Sequence, residues 1–171
     1  KSARCKEFRT KEGRVRAFEN LRKNEIDGLV VIGGNGTFAG SMKMHEEHGF
    51  PIIGLPGTID NDLAGTDNTI GFDTATNTIV EAVDKIRDTA DSHNRLFFVE
   101  VMGRDNGFIA LRTGIATGAI AVMTPETGLD SNDLIDVLQA GQRNQKSSSI
   151  VIVAEGDKSG GAYELAKKIH N

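Results

Sequence analysis

Apolar residues recur along this chain with two alternating spacings. Between Lys11 and Asn24, Val15, Phe18 and Leu21 keep the spacing of one helix face, and Gly28 then introduces an apolar strand from Leu29 to Ile32. A helix follows from about Thr37 to His48, with Gly49 as its C-cap, before a short buried strand from Pro51 to Leu55. The strongest helical pattern runs from Thr74 to Ala90, with Ala75, Ile79, Val83, Ile86 and Ala90 on one stripe. Arg95 to Val101 reads as a strand, and helix 108–117, strand 119–123, helix 131–143, strand 149–154 and a helix from about 161 complete the series. Such alternation predicts an α/β fold, with parallel sheets covered by helices on both faces.

The chain has 171 residues, 38% hydrophobic and 26% charged, which is globular in composition but short for two complete domains. A single cysteine, Cys5, excludes an internal disulfide and fits a reducing cytoplasm. No apolar run approaches the roughly 20 residues that a membrane helix requires. Lys1-Ser2-Ala3-Arg4 lacks the apolar core of a signal peptide. Residues 1–25 carry nine Lys/Arg against four Asp/Glu. Those basic residues lie on an amphipathic helix without interleaved aromatics, so a solvated face is expected rather than a nucleic-acid surface.

Two loops carry candidate chemistry. Gly33-Gly34-Asn35-Gly36-Thr37 leaves an apolar strand and opens a helix, so its backbone N–H groups and the helix N-terminus suit a phosphate. It also matches G-x-G-x-x-A at Gly34, Gly36 and Ala39, but no acidic residue ends the next strand to take a dinucleotide's ribose. A Walker loop is excluded, because no Gly-Lys-Ser/Thr follows. A plain Asn-Gly turn is the bland alternative. Pro56 to Gly71, sixteen residues without apolar periodicity, is too long for a simple connection. Near its start, Thr58, Asp60 and Asp62 fall beyond the carboxyl end of a strand, where open α/β sheets bind ligands. In extended backbone Asp60 and Asp62 point to one side and serve one center, one as base and one toward metal or hydroxyl. The bland alternative here is a polar turn with Asx-type hydrogen bonds. His45 and His48 lack the H-E-x-x-H spacing of a metal pair and are expected at an exposed helix end.

The run PGTIDNDLAGTDNTIGFDTA, Pro56 to Ala75, closely resembles the 6-phosphofructokinase family in its ATP-dependent bacterial form. Arg4 in SARC, Gly33 to Thr37 in GGNGT, Arg95 in SHNR, Met102-Gly103-Arg104, Pro125-Glu126 and Glu155 fall in that family's order along nearly the whole chain. Kinases of lipids or NAD share a GGDG-like loop but not PGTIDND. The resemblance implies a phosphofructokinase-like fold containing portions of two Rossmann-like domains. Residues 1–71 would belong to the nucleotide-binding domain and 72–171 to the sugar-phosphate domain, both parts of a longer chain and inactive when separated from it.

It further implies transfer of the γ-phosphoryl group of ATP to the C1 hydroxyl of fructose 6-phosphate, with Mg²⁺, in a cytoplasmic homo-oligomer that is a tetramer at full length. Asp60 would be the base, with Thr58, Asp62 and Arg104 beside it. Thr58, Ile59, Asp60, Arg95, Met102, Gly103, Arg104 and Glu155 would hold the sugar phosphate, Arg95 reaching a neighboring subunit. Arg4, Cys5, Gly34, Asn35, Gly36 and Thr37 would hold ATP. Asn35 stands where the family usually has a metal-directed aspartate. Gly36 and Gly57 match the ATP-using branch, whereas the pyrophosphate-using branch has Asp and Lys there. Arg87 and Lys146 match an allosteric effector site, but Ile120, Asn144 and Ser147 depart from it. A noncatalytic relative is the remaining alternative.

Overall fold

The computed structural model of the chain describes residues 4–93, 95–143 and 150–170. They form two compact units, Lys1–Thr58 with Leu63–Thr66, and Ile59–Asp62 with Asp67–Asn171.

The first unit opens with a 3₁₀ turn, Glu7–Arg9, and helix α1, Lys11–Lys23, whose N-cap Thr10 accepts the Gly13 N–H. Strand β1, Leu29–Gly33, helix α2, Asn35–His48, and strand β2, Ile52–Pro56, form one crossover unit. β1 and β2 pair in parallel, with Leu29 opposite Ile52 and Gly33 opposite Pro56. Helix α2 starts two residues before the predicted Thr37, and Gly49 closes it at φ 63°, its N–H bonded to His45 O.

Phe38 of α2 lies over Gly54, where an added Cβ would come 2.9 Å from the ring, so α2 covers that face of the sheet. On the other face Val30, Ile32 and Ile53 are 63%, 68% and 66% exposed. Among the described residues these strands are therefore open on that face, where their apolar runs predict buried strands. Apolar content fixes a strand's tendency to be buried, but another segment must supply the cover.

A second correction concerns the basic helix α1. Arg14 is buried, at 5% exposure, rather than solvated. Its guanidinium donates to Glu47 on α2 and to the carbonyls of Phe8 and Arg9. Phe18 stacks on His48 at 4.5 Å and meets Phe50 edge-on, so His48 is half-buried whereas His45 is exposed as expected.

In the second unit, helix α3, Phe72–His93, leads to strand β3, Phe97–Val101, helix α4, Phe108–Thr117, and strand β4, Ala121–Met123. Helix α5, Ser131–Arg143, strand β5, Ile150–Ala154, and helix α6, Gly161–His170, follow. The parallel sheet has the order β3-β5-β4. Central β5 is buried along its length. Its Ile150, Ile152 and Ala154 pack with Phe72, Val83, Ile109 and Ala110 from α3 and α4. Val151 and Val153 pack on the opposite side with Met123, Leu134, Ala162 and Leu165. Strict alternation on a strand sandwiched by helices gives this sheet the two covered faces that the apolar run predicts.

Candidate functional site

In the first unit the glycine loop joins β1 to the N-terminus of α2. Gly34 is the N-cap of α2 and has no side chain to satisfy the first-turn N–H groups, and no acidic residue occupies that turn. An anion is favored at such an end. The glycines do different work. At Gly33 a Cβ would lie 2.3 Å from Thr37 Oγ1, and at Gly57 one would lie 2.5 Å from Ile32 Cγ2, so both are demanded by packing. At Gly36 a Cβ would meet nothing within 4 Å. The Gly57 N–H donates to Gly33 O at 3.0 Å, and a Cβ on Gly34 would approach Thr58 at 3.2 Å. Thr58, the first polar residue of the acidic loop, thus lies against the N-cap of α2. Arg4 and Cys5 lie before the 3₁₀ turn, both exposed.

In the second unit the acidic loop is a turn. The chain bends at Ile59 and Asp60, and Asn61 has φ 54°, in the left-handed region. The extended backbone expected to aim Asp60 and Asp62 to one side is absent, because Asn61 accepts a conformation that most side chains resist. Asp60 is buried, at 9% exposure, and Asp62 is half-buried. Ile59 packs against the core formed with Phe72 and Val101.

The Met102-Gly103-Arg104 turn follows β3 and is tied to the end of β5. Glu155 Oε1 accepts the N–H groups of Gly103, at 3.1 Å, and Arg104, at 2.6 Å, while Glu155 N donates to Val101 O. Gly103 at φ 150° and Arg104 at φ 55° turn the chain sharply there. Only one carboxylate oxygen of Glu155 is engaged by these two amides. The resemblance assigns Glu155 to the sugar but carries no sign of its hold on the turn, which joins residues 51 or more positions apart. Arg95 lies two residues before β3 and Met102 directly after it, about 23 Å apart along extended chain, so this chain does not bring the two together.

Glu126, in the loop after β4, accepts the Gly107 N–H at 2.9 Å. Burial works to raise its pKa, but the hydrogen bond from Gly107 and its other bonds hold it below the usual glutamate value. Arg87 donates to Thr117 O at the end of α4, with Asp84 3.9 Å away. Ile120 packs with Leu134 and Met123, and a Cβ on Gly141 would come 2.5 Å from its Cδ1. Lys146, Asn144 and Ser147 lie outside the described residues. Among the described residues no three His, Cys, Asp or Glu side chains form a metal cluster, and no helix is long and apolar enough to cross a membrane.

These loops close parallel strands at their carboxyl ends, the ligand-binding edge of α/β proteins. The family described as Phosphofructokinase matches residues 1–171. The chain is 56% identical over 171 residues to the ATP-dependent 6-phosphofructokinase 2 of Bacteroides thetaiotaomicron, covering 100% of this chain and 52% of that protein. It is 57% identical over 168 residues to ATP-dependent 6-phosphofructokinase 1 of Thermus thermophilus, covering 98% and 52%. The phosphofructokinase structure from Saccharomyces cerevisiae aligns at TM-score 0.88 and 38% identity, over 99% of this chain and 27% of that one. A pyrophosphate-dependent phosphofructokinase from Marinobacter aquaeolei aligns at TM-score 0.77 and 25% identity, over 98% and 46%. The fold is therefore the α/β architecture of the phosphofructokinases, with parallel sheets flanked by helices. The chain belongs to the phosphofructokinase family and spans about half the length of its curated relatives.

Proposed function

We propose that the protein carrying this sequence transfers the γ-phosphoryl group of ATP to the C1 hydroxyl of fructose 6-phosphate, giving fructose 1,6-bisphosphate in glycolysis. One observation carries the reading: Thr58 lies against Gly34, the N-cap of α2. A phosphate held by those amides has the Thr58 hydroxyl as a neighbor. Asp60 takes the proton from the sugar hydroxyl as that oxygen attacks, and its burial suits a base that must meet substrate rather than water. Arg104 offsets the charge spread over the phosphoryl oxygens, and Met102, Gly103 and Glu155 hold the sugar. Arg4, Cys5, Asn35 and Thr37 contact the nucleotide.

Mg²⁺ fits this donor set as an ion carried chiefly by phosphate oxygens and water, since Asn35 is neutral and the first turn of α2 has no acid. When bound, it would neutralize phosphate charge. Asp62 would orient its waters. Residues 1–71 belong to a nucleotide-binding domain and 72–171 to a sugar-phosphate domain, in a cytoplasmic homo-oligomer. The names of the relatives favor ATP as donor, as does Gly57, where Ile32 leaves no room for a lysine without moving. A coupled assay of the full-length protein tests this, with ATP and pyrophosphate side by side. ATP should support the faster turnover, and equal or better turnover with pyrophosphate overturns the donor assignment.

A further inference from the structure

We propose that Asn61 is a positioning residue that fixes Asp60 through a side-chain clip, an inference that rests on Asp60 as the base. Asn61 Oδ1 accepts the Thr69 backbone N–H at 2.7 Å, and Asn61 Nδ2 donates to Asp67 O at 3.3 Å. One amide thus closes the acidic loop across eight residues. The far end of the clip is firm: Thr69 is 3% exposed, and its carbonyl accepts the N–H of Phe72, the first residue of the 22-residue helix α3. On the other side of Asp60, Ile59 is set in the core that contains Phe72. Asp60 is therefore held between two anchors that share one helix start.

Asn is suited to both tasks. It tolerates φ 54°, and its amide offers an acceptor and a donor together. Glycine would keep the backbone but untie the loop. Freeing Asp60 by about 1 Å would cost roughly 10²-fold in rate, because a base must meet its proton in a narrow geometry. Substrate binding depends on other groups and should change little.

The test compares Asn61→Gly, Asn61→Ala and Asp60→Ser in the full-length enzyme. Both Asn61 variants should lose roughly 10- to 10²-fold in kcat, with KM for ATP and for fructose 6-phosphate changed less than about threefold. A role limited to backbone strain would be rescued by glycine, so wild-type kcat in Asn61→Gly beside an inactive Asp60→Ser overturns this inference alone. Retained turnover in Asp60→Ser overturns the assignment of the base, and this inference with it. Amide hydrogen exchange on the unmutated protein gives a check that needs no variant: the Thr69 N–H should exchange slowly, and unprotected exchange there also overturns the clip.

Discussion

Arg14 and Glu47 meet in a two-pronged ion pair, Nε to Oε2 at 2.7 Å and Nη2 to Oε1 at 2.6 Å. The same guanidinium holds the carbonyls of Phe8 and Arg9 through Nη1, so it fastens the 3₁₀ turn and α1 to α2. The hydrogen bond from Arg14 depresses the Glu47 pKa below the ordinary glutamate value, and the bond to Glu47 raises that of Arg14. A depressed carboxylate pKa stabilizes the folded state above the unfolded value, about 4.3, and that contribution is lost as pH falls through the folded value. Glu47→Gln should therefore lower Tm at pH 7, with the gap from wild type narrowing below about pH 4.3. Thermal melts from pH 7 to pH 3 measure the gap, and one that stays constant would show that the pair contributes no pH dependence.

Gly36 and Gly57 should respond oppositely to alanine. Nothing lies within 4 Å of a Cβ at Gly36, which sits in the first turn of a helix, so Gly36→Ala should stabilize the fold by roughly 0.5–1 kcal/mol. A Cβ at Gly57 meets Ile32 Cγ2 at 2.5 Å, and Gly57→Ala should destabilize by roughly 1–3 kcal/mol. If the open approach at Gly36 serves a nucleotide, the stabilized variant should bind ATP more weakly. Denaturant melts and ATP titrations of the same samples separate the two effects. Unaltered affinity in Gly36→Ala would leave that approach without a nucleotide role.

Glu155 holds the Met102-Gly103-Arg104 turn with one oxygen, which separates its charge from its shape. Glu155→Gln keeps an acceptor for the Gly103 and Arg104 amides, whereas Glu155→Ala removes it. Losing those bonds should raise the KM for fructose 6-phosphate roughly tenfold or more in the alanine variant, and less in the glutamine variant. Steady-state kinetics on the two variants decide the point, and equal effects would mean that charge alone matters.

Element type was legible in these residues wherever the period was long, as along α3, where Ile79, Val83 and Ala90 define the packed stripe. Candidate site residues were legible as motifs, because glycine, threonine and aspartate at strand ends limit what a loop can do. Long-range polar ties were not. Arg14 to Glu47 spans 33 residues, and Glu155 to Gly103 spans 52, and neither distance leaves a local trace. The left-handed turn at Asn61 was hidden differently: Asp-Asn-Asp suits an extended strand end and an Asx turn alike, and the bond to Thr69 decides between them. The cover on β1 and β2 depends on chain outside those strands, so their apolar runs predicted burial that Val30 and Ile53 do not have.

Arg95 and Met102 stand at opposite ends of β3, which gives the proposed intersubunit role of Arg95 a decisive test. Asp60→Ser should lower kcat roughly 10²- to 10⁴-fold in the full-length enzyme. Arg95→Ala should raise the KM for fructose 6-phosphate through loss of a forked phosphate contact. If Arg95 serves the neighboring subunit, an oligomer mixed from the two variants contains one complete site, with Asp60 from the Arg95→Ala chain and Arg95 from the Asp60→Ser chain. Coexpression and isolation of the hybrid should then restore high-affinity turnover that neither parent has. If Arg95 served its own chain, every site in the hybrid would lack one of the two groups, and no restoration would appear.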